Sequence, residues 1–447
     1  MASCLRRYRH WILCCCSPCM LLLTVYLYVT IALFLTMKHS AHIGGPIVYP
    51  VLPQNFVAPH PGNFFWRTQL ESGALWNFIQ HVTDRQNNPI LRPGLATTAN
   101  LSTNSNETAM STGKGIGCSP NYEIISKIPD YSTLPTQMKK FVTTMHCQDY
   151  PLIIDPEDVC DHGPLAKTQA PLLLLAIKTQ TANLENREAI RQTWGRSGKV
   201  RGQGGRKRLV RRVFLLGKTE DLHNEKELQL EGNEYGDIIQ WDFMDTFFNL
   251  TLKDVLFWGW FSRHCPHAHF IFKGDDDVFV RMPAMLDYLL QEEEKANERL
   301  SKESTQPNKM EGFVVGDVIN NAKPIRNNEN KYYIPGSFYK GFYPSYLGGG
   351  GVVYSGSLAH RLLEVSQRVH LFPIDDVYLG MCLKRLGVSP IYHRAFLTFD
   401  FTKEESKDPC AHHTILLVHK RSPAEMFRLW AETSVPNSEC RNVMLRV

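Results

Sequence analysis

Three consecutive carboxylates, Asp275, Asp276 and Asp277, follow directly on the strand-like run HFIFKG of residues 269–274. Adjacent carboxylates at the end of a buried strand repel one another unless a cation neutralises them. Oxygen ligands suit Mn²⁺ or Mg²⁺, either of which can also hold a diphosphate. In extended backbone the first and third residues face the same way, so Asp275 and Asp277 are the better-placed pair. An acidic turn in solvent is the bland alternative, and the apolar residues on both sides of the triplet argue against it. The later ligands of an EF-hand loop are absent. A second pair, Asp375 and Asp376, precedes a helical pattern over 377–386. One of the two could simply cap that helix. A carboxylate across a pocket from a metal is also the natural general base, and Asp376 is chosen for that role over Asp375. Between the pairs lie four glycines, Gly348 to Gly351, flanked by Tyr343 and Tyr346. Such a run weakens a fold unless backbone must approach a ligand or other backbone closely, and the tyrosines offer rings against which a sugar can pack. His419 ends the apolar run ILLV and becomes a third metal ligand only if that strand reaches the Asp cluster.

Elements must bring these residues together. The run PLLLLAIKT over 171–179 reads as a buried parallel strand. NREAIRQTWG over 186–195 reads as a helix ended by glycine. Residues 210–216 and 237–243 read as second and third strands, 249–265 as an amphipathic helix, and the run into Asp275 as a fourth strand. This alternation predicts an α/β fold with a mostly parallel sheet, whose ligands gather at the carboxyl ends of the strands. The stretch KVRGQGGRKRLVRR over 199–212 is read as a solvated basic loop rather than a polyanion-binding patch. With a formal charge of only +5 on 447 residues, much of it there, the chain does not read as a nucleic-acid binder. Gly113-Lys114 lacks the upstream glycine of a phosphate-binding loop.

From Trp11 to Met37 no residue is charged, and a helix of 27 residues spans about 40 Å. Arg6, Arg7 and Arg9 precede it, which predicts a cytosolic N-terminus and a lumenal C-terminal part. No small-residue cleavage site follows, so the segment reads as an uncleaved signal-anchor. The expected organisation is a cytosolic tail (1–10), a transmembrane helix (11–37), a Pro/Ser/Thr/Asn-rich stem (38–117) and a lumenal domain (118–447), with Phe64, Phe65 and Trp66 able to dock on the body. Beyond the span lie seven scattered cysteines without a CxxC pair, which predicts disulfides and at least one thiol outside them. Sequons at Asn100, Asn106 and Asn249 fall on the predicted lumenal side.

Taken in order, REAIRQTWG from Arg187, VFLLG from Val213, DTFFNLTLK from Asp245, FKGDDDVFV from Phe272, VGDV from Val315, KYYIP from Lys331, YLGGGGVVYSG from Tyr346 and FPIDDVYLGMCL from Phe372 resemble the inverting β1,3-glycosyltransferases. The likeness covers most of residues 165–420 and is strongest to the polylactosamine-extending N-acetylglucosaminyltransferase branch. It implies a GT-A-like fold, a UDP-GlcNAc donor, Mn²⁺ (or Mg²⁺), a galactose-terminated acceptor and inversion at the anomeric carbon. It implies Asp275, Asp277 and His419 as metal ligands and Asp376 as the base. Arg187, Arg191, Lys273 and Asp276 fall on the donor side, and Asp317, Tyr346, Gly348, Gly349 and Asp375 on the acceptor side. A type II Golgi membrane protein is implied, with association with itself or with other glycosyltransferases left open. A β1,3-galactosyltransferase using UDP-galactose, and a catalytically silent membrane-anchored glycan-binding protein, stand as alternatives.

Overall fold

The computed structural model describes residues 64–87, 118–156, 159–160, 170–302, 309–435 and 438–446. The transmembrane segment expected at 11–37 and the sequons at Asn100 and Asn106 lie outside them. Among the described residues no helix is long and apolar enough to cross a membrane.

The core is a mixed sheet whose centre is parallel. In chain order its strands include β1 (Leu152–Ile154), β2 (Leu173–Lys178), β3 (Gly198–Arg201), β4 (Lys207–Lys218), β5 (Ile238–Met244), β6 (Phe270–Asp275), β8 (Val314–Gly316), β11 (Gly351–Ser355) and β12 (Ile391–Tyr392), ordered β1-β5-β4-β2-β6-β11-β8-β12 with β3 paired to β4. The pairs β5–β4, β4–β2 and β2–β6 are parallel, while β11 runs antiparallel between β6 and β8. Two short strands, β7 (Phe279–Val280) and β14 (Leu417–Val418), pair antiparallel, with β13 (Phe396–Leu397) beside β14; β9 (Val318–Ile319) pairs with β10 (Tyr346–Leu347).

The unbroken apolar run of β2 follows from its place at the sheet centre, covered on both faces. Leu174 and Ala176 join Val213, Leu215 and Ile271 in one cluster. Leu173, Leu175 and Ile177 join Phe214, Leu216 and Phe272 in the other. The first cluster packs on α6 (Leu250–His264), α8 (Gly356–Ser366) and α9 (Asp375–Leu386). The second faces α4 (Leu184–Gln192) and α7 (Met282–Lys302). Of the further helices, α3 (Thr136–Thr144) precedes these in sequence, α5 (Leu222–Tyr235) lies between α4 and α6, and α10 (Pro423–Ser434) follows them.

Two sequence expectations change. Residues 199–212 are not a loop: β3 and the start of β4 form a hairpin, and Arg212 is buried against Asp237. Charged residues alternate there with residues that face inward, and the three consecutive cations Arg206, Lys207 and Arg208 had masked that period. The second change concerns the stretch read as stem. Within it, α1 (Phe64–Glu71) and α2 (Leu75–Asn87) are integral to the body. The backbone N–H groups of Leu75 and Trp76 donate to Ser337 and Phe338 (2.8 Å each), Trp76 is fully buried, and Asp84 pairs with Arg385 of α9 at 2.9 Å. The expected docking of Trp66 is present, its ring 5.2 Å from the Arg385 guanidinium. Disulfides join Cys118–Cys147, Cys160–Cys265 and Cys410–Cys440, leaving Cys382 as a buried thiol.

Candidate active site

Parallel pairing sets Lys178, the last residue of β2, beside Asp275, the last residue of β6. The chain turns after Asp275, so its two successors diverge. Asp276 points back beneath the turn, where its carboxylate accepts from Thr179 (2.5 Å) and Asn183 (2.9 Å). Burial pushes this carboxyl up to about 6, against the pull of those two donors. Asp277 points forward. The antiparallel pairing of β7 with β14 delivers His419 to it, with Nε2 3.2 Å from Asp277 and 3.9 Å from Asp275. The ligand atoms of Asp275, Asp277 and His419 all lie within 4.8 Å of one another. Burial opposes charge on Asp277 and His419 alike. Their mutual hydrogen bond and attraction outweigh it, so the carboxyl sits below its ordinary range and the imidazole above. Two carboxylates and an imidazole converging here can hold a divalent cation, and the carboxylate pair suits Mn²⁺ or Mg²⁺.

Asp375 and Asp376 open α9 as its first two helical residues, and neither caps it: the N-cap is Ile374, without a side-chain bond. Asp375 is drawn down to the buried Lys178 and lies 3.5 Å from Lys273, whose ammonium also binds Asp254 at 2.6 Å. Burial would raise Asp375, but the two ammonium groups hold it well below the carboxylate range. Among the described residues Asp376 has no such partner. Burial first, and then the charge of Asp375, push it far above that range, although Lys273 and Lys178 pull the other way. One of two neighbouring carboxyls is thus fixed as an anion, and the other is made basic.

The glycine run explains itself here. A Cβ on Gly349 would stand 2.8 Å from the Asp376 carboxylate, and one on Gly350 would stand 2.9 Å from the His419 Cβ. Consecutive residues of one loop therefore lie against the candidate base and a candidate metal ligand. A Cβ on Gly348 would collide with Thr398. The cleft has a volume of about 750 Å³ and is lined by Asp275, Asp276, Asp277, Asp375, Asp376 and His419, together with Tyr343, Tyr346, Gly348 and Gly349. Its far wall carries Phe247, Tyr332 and Lys331, with the ammonium 5.3 and 4.8 Å from the two ring centroids.

Four expected site residues do not line this cleft. Arg187 is buried against Glu231 (2.7 Å) and donates to the Gln180 and Thr181 carbonyls. Arg191 pairs with Asp237 at 2.8 Å and stacks on Tyr235. Arg187 shapes the β2–α4 connection from behind, while Arg191 ties α4 to Glu231 of α5 and to Asp237 ahead of β5. Lys273 lies under the floor, and the Asp317 carbonyl accepts from the Gly348 N–H at 2.8 Å. Asn249 stands just before α6, its side-chain amide donating to the Met244 carbonyl. Sequence reasoning missed Lys178, Thr179 and Lys253. Lys253 is fully buried, bonded to the Thr179 carbonyl (2.6 Å) and paired with Asp245 (2.8 Å). The available signal was a lysine on the apolar face of a helix or at the tail of an apolar strand, which is costly unless paired.

The galactosyltransferase family model matches residues 185–394, a span containing both carboxylate clusters. Over 384 residues the chain is 41% identical to N-acetyllactosaminide β-1,3-N-acetylglucosaminyltransferase 2 of Mus musculus, covering 85% of this chain and 89% of that one. The chain belongs to the galactosyltransferase family. The Homo sapiens counterpart of that relative is 39% identical over the same shares. UDP-GlcNAc:βGal β-1,3-N-acetylglucosaminyltransferase 7 of Rattus norvegicus is 40% identical over 70% of this chain and 75% of its own length. Membership bears out the resemblance read from the ordered motifs.

Proposed function

We propose that this galactosyltransferase-family member transfers N-acetylglucosamine from UDP-GlcNAc, with inversion, to the 3-hydroxyl of a terminal galactose on N-acetyllactosamine-type glycans. The proposal includes a GT-A-like domain on a type II Golgi membrane anchor. The observation that carries the chemistry is the convergence of Asp275, Asp277 and His419 in one cleft with Asp376, which forms no ion pair among the described residues. The donor and acceptor come from the names of the relatives.

Asp275, Asp277 and His419 would hold Mn²⁺, which when bound supplies the positive charge that steadies a departing nucleoside diphosphate. The protein's own residues do the rest. Asp376 takes the proton of the galactose 3-hydroxyl as that oxygen attacks the anomeric carbon from the face opposite UDP. The bond to the diphosphate oxygen breaks as the new glycosidic bond forms, which inverts the centre. Gly349 leaves the acceptor room beside the base, while Tyr343, Tyr346, Phe247 and Tyr332 give rings for sugar C–H faces. Lys178 and Lys273 hold Asp375 as an anion, whose charge keeps Asp376 basic.

The test is UDP release by the full chain in detergent, with UDP-GlcNAc or UDP-galactose, in Mn²⁺ or chelator, on a galactose-terminated acceptor. Metal-dependent turnover of UDP-GlcNAc alone is expected. Turnover of UDP-galactose instead would overturn the donor, and no turnover with either would favour the silent glycan binder.

A further inference from the structure

The basic hairpin takes no part in the cleft. β4 runs parallel to β2, with Leu215 opposite Lys178 at the site end. Residues 207 to 215 therefore carry Lys207 about 26 Å away from that end at roughly 3.3 Å per residue. The hairpin is fixed rather than loose. Its tip closes with Gly202 N–H donating to Arg206 (2.9 Å), and Gly204 N–H donates to Asp287 of α7 at 2.6 Å. Arg206 is neutralised by Glu294 of the same helix at 2.5 Å.

The register decides what the outer face presents. Arg201 stands directly opposite Lys207 and Lys199 opposite Leu209, while Arg211 is two residues beyond Leu209. Alternation places Lys199, Arg201, Lys207 and Arg211 on one face, a strip about 14 Å long from the 207 pair to Arg211. Lys199, Arg201 and Lys207 are exposed and Arg211 half-buried. Among the described residues none of the four forms an ion pair, whereas neighbouring Arg206 and Arg212 do. Like charges directly opposed across a ladder are destabilising. A rigid strip of unneutralised cations, held where the fold gains nothing from it, is complementary to a polyanion.

Three disulfides fit an oxidising compartment, which removes nucleic acid from the candidates. A lipid surface would also call for apolar side chains to insert, and none of the large exposed hydrophobic residues belongs to 198–211. We infer that the outer face of the β3–β4 hairpin is a docking strip for a linear sulfated polysaccharide, separate from the catalytic cleft. Occupied, it would leave the cleft open and hold the enzyme close to sulfated glycans.

The test uses the full chain in detergent and a fluorescent heparin octasaccharide, with binding read by anisotropy across a salt series. The variant K199S/R201S/K207S/R211S is compared with one lacking four exposed lysines elsewhere, K127S/K140S/K226S/K403S. The hairpin variant should bind at least tenfold more weakly at 0.15 M salt, with a log–log salt slope lower by about 2–4. The comparison variant should bind within threefold of the parent, and both should retain UDP-GlcNAc turnover on a neutral acceptor. Equal losses in the two variants would reduce the effect to net charge and overturn the proposal. So would heparin binding by the parent too weak to measure beside tight, hairpin-dependent binding to phosphatidylserine vesicles. A hairpin variant that loses turnover is replaced by the reversal K199E/R201E, for which unchanged heparin affinity in an active enzyme overturns it equally.

Discussion

At the scale of single residues the site divides its carboxylates by surroundings rather than by type. Asp376 is the one that chemistry asks to accept a proton. Asp376→Asn should lower kcat by about 10²–10⁴-fold while UDP-GlcNAc affinity stays within about twofold, measured by turnover and by titration calorimetry. Comparable loss of both would give Asp376 a structural role instead. The raised pKa of Asp376 has a sign that can be checked. A base acts only when deprotonated, so kcat should fall as pH drops through that pKa, with an acid limb well above pH 4. An acid limb at pH 4 in the metal-saturated enzyme would move the proton acceptor elsewhere. His419 makes a separate prediction. His419→Ala should raise the Mn²⁺ concentration for half-maximal activity by at least about tenfold, since even residues that only support a metal ligand are worth 10–100-fold. A metal requirement unchanged by the substitution would remove His419 from the ligand set. These residues were legible in the sequence because each breaks a local rule: acids ending a strand, four glycines in a row, a histidine closing an apolar run. Lys178 and Lys253 beneath them were not, since a buried lysine becomes intelligible only when its acid is placed beside it.

At the scale of elements, strands announced themselves better than connections. The four central strands could be read from apolar runs because each is covered on both faces. The hairpin at 198–212 was hidden by cations whose alternation matters only once β4 is extended beyond the sheet. The helices at 64–87 were hidden by prolines and polar residues around them. Their buried polar groups, Asn77, Gln80 and Asp84, look solvated until Lys340, Arg368 and Arg385 are set against them. Their position has a consequence for activity. Arg385 lies on α9, whose first turn carries Asp376, and its guanidinium is fully buried between Asp84, Trp66 and Trp76. Asp84→Ala should cost about 3–5 kcal/mol by stranding that cation. A chain beginning at residue 118 should therefore be less stable than one beginning at 55 and should lose turnover, as thermal unfolding and UDP release would report. Equal melting temperature and activity in the two would return residues 64–87 to the role of a stem.

At the scale of the molecule, the sheet and its two apolar faces leave the three disulfides to restrain what the core does not. Cross-linking acts mainly on the unfolded chain, and the entropy it removes grows with the logarithm of the loop it closes. Cys160–Cys265 closes a loop across 105 residues, containing β2, α4, the hairpin, β4, α5, β5 and α6. Cys118–Cys147 and Cys410–Cys440 close loops across 29 and 30 residues near the two ends of the folded body. On loop entropy alone the long bridge contributes about 4.8 kcal/mol and each short one about 3.6 kcal/mol. Size dilutes these values into modest shifts: at about 2.1 cal/mol/K per residue, the long bridge corresponds to roughly 7 °C in Tm for a body of this length. The double substitution C160S/C265S should accordingly lower Tm by about 2 °C more than C118S/C147S or C410S/C440S, in calorimetric scans under one buffer. The long bridge also joins the end of α6 to the chain entering β2, close to the amino-terminal end of the sheet. Activity measured well below Tm should therefore survive its removal. A C160S/C265S protein that is stable but inactive would contradict that separation, and would show that the bridge shapes the cleft from the far end of the strands.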